Sequence, residues 1–141
     1  MATRTASAVW DGGGLKAGKG TFKTTGGING QYNFGSRFEN GVGSNPEELL
    51  AAAHAACYSM AFAAALEKEG NAPKRIETDG ACTVDMIDGK PKITTMKLTV
   101  RATVPGIDAA KFQQIARATK DGCPVSGALK ALDIQVDAKL V

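Results

Sequence analysis

The feature that most constrains this chain is a long stretch without formal charge, from Leu49 to Leu66. Its start carries helix signals, because Asn45 can cap free N–H groups, Pro46 suits the first helical position, and Glu48 stands where a capping box places an acidic residue. Gly70 can adopt the left-handed conformation that closes a helix. We therefore predict one long helix, and its uncharged centre should be covered on nearly all sides.

The length of this helix raises the question of a membrane span, because about 20 consecutive apolar residues can cross a bilayer. Half of the stretch is alanine, and its polar residues disfavour insertion into lipid. We therefore expect a central helix of a water-soluble protein with no membrane partner. A bulky ridge recurs every four residues, at His54, Tyr58, Phe62 and Leu66. Cys57 lies instead on an alanine-rich face, which would let a small molecule approach the sulfur.

Composition excludes several classes of protein. A chain of 141 residues predicts one domain, 1–141, and a net charge of +3 is too small to indicate a nucleic-acid partner. The N-terminus lacks the apolar core of a signal peptide, so we expect a cytoplasmic location. The chain has 3 cysteines without CxxC spacing and 1 histidine, so neither a disulfide framework, a metal site nor another cofactor is expected.

The order of predicted elements indicates the fold class. Strands are predicted before and after the long helix, and Asp88-Gly89 joins two of them as a hairpin. The elements in order are strands at 4–10 and 18–25, the long helix, strands at 76–86 and 93–104, a helix at 108–120, a short helix at 124–129 and a strand at 132–141. This order predicts an α+β fold in which a sheet covers the long helix.

Two cysteines differ in their predicted surroundings. Cys123 stands at the start of the short helix, where free N–H groups and the helix dipole favour a thiolate. Cys57 lies inside the long helix, where burial would raise its pKa and leave it inert. If Cys57 reacts, a cation must reach it, and Arg37 is the candidate. Two interpretations without catalysis remain open. Cys57 and Cys123 could be structural residues, and the segment 31–43 could be a surface loop with a solvated arginine. Cys82 is interpreted as a small core residue of a strand.

A series of motifs runs in order along most of the chain, from Trp10 to the C-terminus. They are Arg37-Phe-Glu, Asn45-Pro-Glu-Glu-Leu, Ala52-Ala-His-Ala-Ala-Cys57-Tyr-Ser-Met60, Val104-Pro-Gly-Ile-Asp108 and Gly122-Cys-Pro-Val-Ser126. Together they resemble the OsmC branch of the OsmC/Ohr family. The resemblance implies antiparallel sheets wrapped around long central helices in an intertwined homodimer.

The same resemblance implies an activity and a role for each matching residue. It implies a thiol-dependent peroxidase, part of a stress response, that reduces organic hydroperoxides. Cys57 would be the peroxidatic cysteine, Cys123 the resolving cysteine, Arg37 the activator, and Glu47 the carboxylate that holds Arg37. Cys57 would pass through a sulfenic acid to a disulfide with Cys123. The family suggests a dithiol on a lipoyl-bearing protein as the external reductant.

Three further hypotheses concern the assembly and the class of protein. Glu47 and Cys57 are ten residues apart on one helix, or about 15 Å along its axis, so we expect the Arg37/Glu47 pair that serves a given Cys57 to include residues of the other subunit. His54 lies one turn before Cys57 and could form a Cys-His pair with it. Such a pair is typical of cysteine hydrolases and acyl transferases, which are an alternative to the peroxidase. A redox sensor or binding protein that uses the same disulfide as a signal is the third class.

Overall fold

The computed structural model describes residues 1–141, and its chain divides into two compact units, Met1–Leu49 and Leu50–Val141. The first unit contains β1 (Ala6–Asp11), β2 (Lys19–Thr24), β3 (Asn29–Asn33) and α1 (Phe34–Phe38). Helix α2 (Pro46–Lys68) begins in the first unit and continues in the second. The second unit also contains β4 (Arg75–Ile87), β5 (Lys90–Thr103), α3 (Ala109–Gly122), α4 (Pro124–Ala128) and β6 (Asp133–Leu140). The single domain expected from the sequence stays a prediction.

The first unit is built on a three-stranded antiparallel sheet in the order β1-β2-β3. Strand β3 and helix α1 occupy residues for which the sequence left a surface loop as an open interpretation, so that interpretation is wrong for 31–38. The physical reason is local: the Asn33 side chain accepts from the Ser36 N–H at 2.9 Å, and the Ser36 hydroxyl accepts from the Asn33 N–H at 2.9 Å. This reciprocal capping box starts a helix in a segment that has no helical hydrophobic pattern.

The second unit has a three-stranded sheet in the order β4-β5-β6. The β4–β5 hairpin closes at Asp88 and Gly89, whose φ angles of 50° and 72° are those of the turn that the sequence predicted. Strands β5 and β6 are parallel, so this sheet is mixed and not antiparallel as expected. The difference follows from the connection, because α3 and α4 lie between the two strands and return the chain in the same direction.

The core of the second unit includes the ridge that the sequence predicted on α2, together with buried residues of β5 and α3. The four ridge residues His54, Tyr58, Phe62 and Leu66 are completely buried, as predicted. The Phe62 ring meets that of Phe112 from α3 with centroids 5.4 Å apart. Gly80 of β4 permits close approach to α2, since a Cβ there would lie 2.7 Å from the Ala51 carbonyl oxygen.

The ends of α2 follow the sequence signals with one change. The Asn45 side chain accepts from the Glu48 N–H at 2.9 Å, and Gly70 has a φ of 80°. Glu48 does not complete the capping box, because its carboxylate accepts from the Ser44 hydroxyl at 3.1 Å. The helix therefore starts and stops where expected.

The exposure of α2 differs from the expectation. The helix is long and apolar enough to cross a membrane by length and composition, and 28% of its most apolar window is buried. Met60, on the face opposite the ridge, is 76% exposed. The prediction that α2 is covered on nearly all sides is therefore wrong for the single chain, which leaves the face opposite the ridge exposed. The homodimer expected from the resemblance stays a prediction.

Candidate active site

The two cysteines singled out from the sequence come together in the second unit. Their sulfur atoms lie 3.1 Å apart, and both are thiols. Cys57 projects from the middle of α2 and is partly exposed, whereas Cys123 lies between α3 and α4 and is 1% exposed. The Cys123 N–H donates to the Thr119 carbonyl at 2.9 Å, which fixes the backbone at that junction. A short sulfur–sulfur contact with one accessible sulfur is the arrangement that a redox-active pair requires.

The surroundings of the two sulfurs shift their pKa values in opposite directions. Burial raises the pKa of the Cys57 thiol, and the hydrogen bond with Cys123 raises it further. Burial also opposes ionisation of Cys123, but hydrogen bonds outweigh it and lower the pKa of that thiol. Their partners are the Ser126 N–H, the Cys57 sulfur, the Ser126 hydroxyl and the Val125 N–H. Both directions agree with the sequence analysis.

The opposite shifts mean that the cysteines titrate as a pair. At 3.1 Å two thiolates would repel each other strongly, so the pair favours one negative charge with one shared proton. The lowered pKa of Cys123 favours the charge on that sulfur. A positive group near Cys57 would be needed to favour the charge on Cys57 instead.

His54 has a different partner from the one that a cysteine hydrolase would need. Its Nε2 lies 2.7 Å from the Ser126 hydroxyl oxygen, and its Nδ1 is buried without a hydrogen-bond partner. Burial lowers the pKa of the imidazole, so the ring is neutral at pH 7. The Cys-His pair of the alternative hypothesis is therefore not formed, and His54 is a core residue that joins α2 to α4.

Arg37 and Glu47 form an ion pair within the first unit. The Arg37 Nη2 lies 2.8 Å from Glu47 Oε1, and its Nε donates to both carboxylate oxygens at 3.2 Å. The Glu47 side chain is 7% exposed, and the Arg37 side chain is 33% exposed. The guanidinium carbon also lies 5.0 Å from the centroid of the Phe38 ring. Arg37 is therefore a helical residue with an ion-pair partner, and its interpretation as a solvated loop residue is wrong. The roles that the resemblance implies for Arg37 and Glu47 in a reaction stay predictions.

An apolar cavity of about 350 Å³ opens beside Arg37 in the first unit. Its walls are mainly apolar or aromatic, and they include Trp10, Leu15, Tyr32, Phe34 and Phe38. The sequence analysis missed this cavity because it missed β3. With β3 in register, Gly20 lies between Trp10 and Tyr32, and its lack of a side chain lets their rings approach to 5.6 Å between centroids.

The structure thus gathers the predicted site residues in two pairs. Arg37 meets Glu47 in the first unit, and Cys57 meets Cys123 in the second. No group of three or more histidine, cysteine, aspartate or glutamate residues is arranged to hold a metal ion. Cys82 packs against the core of the second unit, in agreement with its interpretation as a core residue.

Comparison with known families covers three of the four residues of the two pairs. The profile of the family described as OsmC-like protein matches residues 38–138, which include Glu47, Cys57 and Cys123. The chain belongs to the OsmC-like family. Arg37 lies immediately before the matched region.

Two relatives of this OsmC-like protein match most of its length. It is 45% identical over 135 residues to Peroxiredoxin OsmC of Escherichia coli, a match that covers 94% of this chain and 93% of the relative. It is 34% identical over 107 residues to the organic hydroperoxide resistance protein OhrB of Bacillus subtilis, covering 72% of this chain and 74% of the relative.

Solved structures of the family share the fold. The crystal structure of Bacillus subtilis OhrB has a TM-score of 0.74 with 25% identity, and the match covers 96% of this chain and 98% of that one. The OsmC-like protein from Mycoplasma pneumoniae has a TM-score of 0.77 at 14% identity, covering 99% of this chain and 98% of that one. The second likeness, at that identity, bears on the fold alone.

Proposed function

We propose that this OsmC-like protein is a thiol-dependent peroxidase that reduces organic hydroperoxides to alcohols. The observation that carries the proposal is the 3.1 Å separation of the Cys57 and Cys123 thiols. The names of the relatives, a peroxiredoxin and organic hydroperoxide resistance proteins, support the same chemistry.

The first step forms a sulfenic acid on Cys57. The Cys57 thiolate attacks the terminal oxygen of the hydroperoxide, an S–O bond forms, and the O–O bond breaks with its electron pair. The departing alkoxide takes up a proton and becomes the alcohol. Cys57 is the attacking thiol because it is the more accessible of the pair, whereas Cys123 is almost completely buried.

The second step converts the sulfenic acid to a disulfide. Cys123 attacks the Cys57 sulfur, the S–S bond forms, and the oxygen leaves as water. An external dithiol, which we assign to a lipoyl-bearing protein, then reduces the disulfide to two thiols and is itself oxidised. The cytoplasmic location expected from the sequence is part of the same proposal.

Arg37 does more than ionise Cys57. Lowering a thiol pKa from about 8.5 to about 6 raises the thiolate fraction at pH 7 roughly thirty-fold. The lost basicity removes about ten-fold in nucleophilicity. A lowered pKa therefore explains little of a fast peroxidase, and we assign to Arg37 the stabilisation of negative charge on the departing oxygen. Glu47 orients the guanidinium through the two-pronged ion pair.

The active site is proposed to combine two subunits. Glu47 and Cys57 stand ten residues apart on α2, about 15 Å along the helix axis. The Arg37/Glu47 pair of one subunit would then serve the partner subunit's Cys57 in a homodimer. The exposed face of α2, which includes Met60, supplies apolar surface for such an interface.

The apolar cavity beside Arg37 supports a preference for organic peroxides. A volume of about 350 Å³ with aromatic walls suits an alkyl or aryl group. Hydrogen peroxide has no apolar body to bury there. The cavity would therefore accelerate the reaction of an organic hydroperoxide through binding energy that hydrogen peroxide lacks.

The experiment that tests this function is peroxide consumption by the pure protein with excess dihydrolipoamide. We expect multiple turnovers, faster with cumene hydroperoxide than with hydrogen peroxide, and complete loss in Cys57→Ser. Cys82→Ser is the matched control and should retain turnover. Consumption of only one peroxide per chain would contradict the enzyme and indicate a redox sensor.

A further inference from the structure

His54 is a buried polar residue with an unusual hydrogen-bond pattern. It is completely buried, its Nε2 contacts the Ser126 hydroxyl at 2.7 Å, and its Nδ1 contacts no hydrogen-bond partner. A buried polar atom without a partner lowers stability. The peroxidase steps derived above do not use this histidine, so its place in the core requires a separate explanation.

Ser126 connects His54 to the reacting sulfur. The residue is 4% exposed and belongs to α4, two positions after Pro124. Its hydroxyl and its backbone N–H lie beside the Cys123 sulfur, where both favour the thiolate and lower the pKa of Cys123. The hydroxyl therefore lies between the imidazole and the sulfur, which itself lies 3.1 Å from the Cys57 sulfur.

We propose that His54 and Ser126 form a hydrogen-bonded chain that stabilises the negative charge on Cys123 as it attacks oxidised Cys57. Ser126 touches the reacting sulfur, and His54 is a positioning residue that acts through Ser126. This inference deepens the peroxidase proposal. It rests on that proposal for disulfide formation, the step in which the hydrogen-bonded chain acts.

The direction of the chain follows from the chemistry of its members. A thiolate can only accept, so the Ser126 hydroxyl donates its proton to the Cys123 sulfur, and the serine oxygen accepts from the His54 Nε2–H. This order uses the neutral tautomer with its proton on Nε2. The unpartnered Nδ1 is then a bare acceptor, and no N–H group is left buried without an acceptor.

The step that the hydrogen-bonded chain assists is disulfide formation, and the two cysteines supply all of its atoms and electrons. Cys57 sulfenic acid and Cys123 thiol give a disulfide and water: the S–S bond forms, and the S–O bond breaks with its electron pair. The leaving hydroxide takes the proton that Cys123 gives up. Negative charge appears on Cys123 before the S–S bond is complete, and the Ser126 hydroxyl is already in contact with the atom where it appears.

The first experiment measures the ionisation of Cys123 in reduced protein, without peroxide. In a Cys57→Ser/Cys82→Ser background Cys123 is the only cysteine, and its ionisation constant is obtained by titrating the thiolate absorbance. We expect Ser126→Ala to lower that constant about tenfold, as loss of a hydrogen bond to a charged group would. Ser126→Thr, which keeps the hydroxyl, should restore it.

Two further variants separate the chain from a general loss of packing. His54→Leu should lower the Cys123 ionisation constant, and His54→Gln, whose amide can donate to Ser126, should restore most of it. The matched control is Ser59→Ala. It removes a different hydrogen bond of α2, the one between the Ser59 and Thr78 hydroxyls at 2.8 Å. An unchanged constant in Ser126→Ala, or an equal fall in Ser59→Ala, would overturn the proposal.

The second experiment follows one turnover with cumene hydroperoxide in the protein that retains all cysteines. Ser126→Ala should form the Cys57 sulfenic acid no more slowly than the unmodified protein, because the shared charge moves toward Cys57, and convert it to the disulfide about tenfold more slowly. An unchanged rate of disulfide formation would contradict the assigned step. If peroxide oxidised no cysteine at all, the peroxidase function would fail, and the ionisation experiment would still decide the role of the chain.

Discussion

The Cys57 and Cys123 sulfur atoms lie 3.1 Å apart, although the two residues are separated by 66 positions in the sequence. Local hydrogen bonds lower the pKa of Cys123, whereas burial raises that of Cys57. The more accessible sulfur is therefore the weaker acid. Attack by Cys57 would require an added positive charge, and we propose that Arg37 supplies it.

Removal of the Arg37 charge should abolish most of the activity. We expect Arg37→Ala to lower kcat/KM for cumene hydroperoxide by roughly 100-fold or more, because it removes a donor to the developing oxyanion. Arg37→Lys keeps the charge but loses the two-pronged contact with Glu47, and should retain intermediate activity. Steady-state kinetics measure both effects. Arg75→Ala, which breaks an exposed ion pair with Glu77, is the control, and an equal loss there would contradict the assignment.

A site shared between subunits predicts complementation. Arg37→Ala and Cys57→Ser proteins should each be inactive, and hybrid dimers that contain one subunit of each type should regain part of the activity. The recovered activity arises because one of the two sites in a hybrid has both functional groups. Purified hybrids with distinct affinity tags allow the measurement. Inactive hybrids of verified composition would show that each subunit supplies its own arginine.

The apolar cavity predicts a substrate-dependent effect of a single aromatic residue. Phe34 lines the cavity, and its ring packs on Phe38 with centroids 5.3 Å apart. Phe34→Ala should lower kcat/KM for cumene hydroperoxide about tenfold, since it removes apolar contact with the substrate. The value for hydrogen peroxide should stay nearly constant and serves as the internal control. An equal decrease for both peroxides would indicate a structural defect.

His54 predicts a pH dependence of stability. Burial holds its pKa in the folded protein below the ordinary value of 6.5. Below pH 6.5 the unfolded chain binds a proton that the folded chain does not, so the free energy of unfolding falls as the pH decreases. His54 is the single histidine of the chain, so His54→Gln should lack this contribution. Urea unfolding from pH 8 to about pH 5 measures it, and parallel curves for the two proteins would contradict the prediction.

Several features could be predicted because they depend on local patterns. The ends of α2 followed from Asn45 and Gly70, and its buried ridge followed from the four-residue spacing. The hairpin turn followed from Asp88-Gly89. The motifs around Cys57 and Cys123 identified the family, which the profile match confirmed.

Other features depend on contacts that no local pattern reveals. The parallel pairing of β5 with β6 is set by the packing of the intervening helices, and α1 is started by one reciprocal contact between Asn33 and Ser36. The bond from His54 to Ser126 spans 72 positions. A histidine one turn before a cysteine therefore suggested the wrong partner, because helical spacing describes neighbours on one helix and not contacts with another.

We propose that an organic hydroperoxide oxidises Cys57 first and that Cys123 then forms a disulfide with it. Peptide mass spectrometry after one equivalent of cumene hydroperoxide tests this order directly. We predict a Cys57–Cys123 disulfide in the unmodified protein and, in Cys123→Ser, a sulfenic acid on Cys57 that dimedone traps. A sulfenic acid on Cys123 in Cys57→Ser, formed as fast as the disulfide in the unmodified protein, would contradict the account and make Cys123 the attacking thiol.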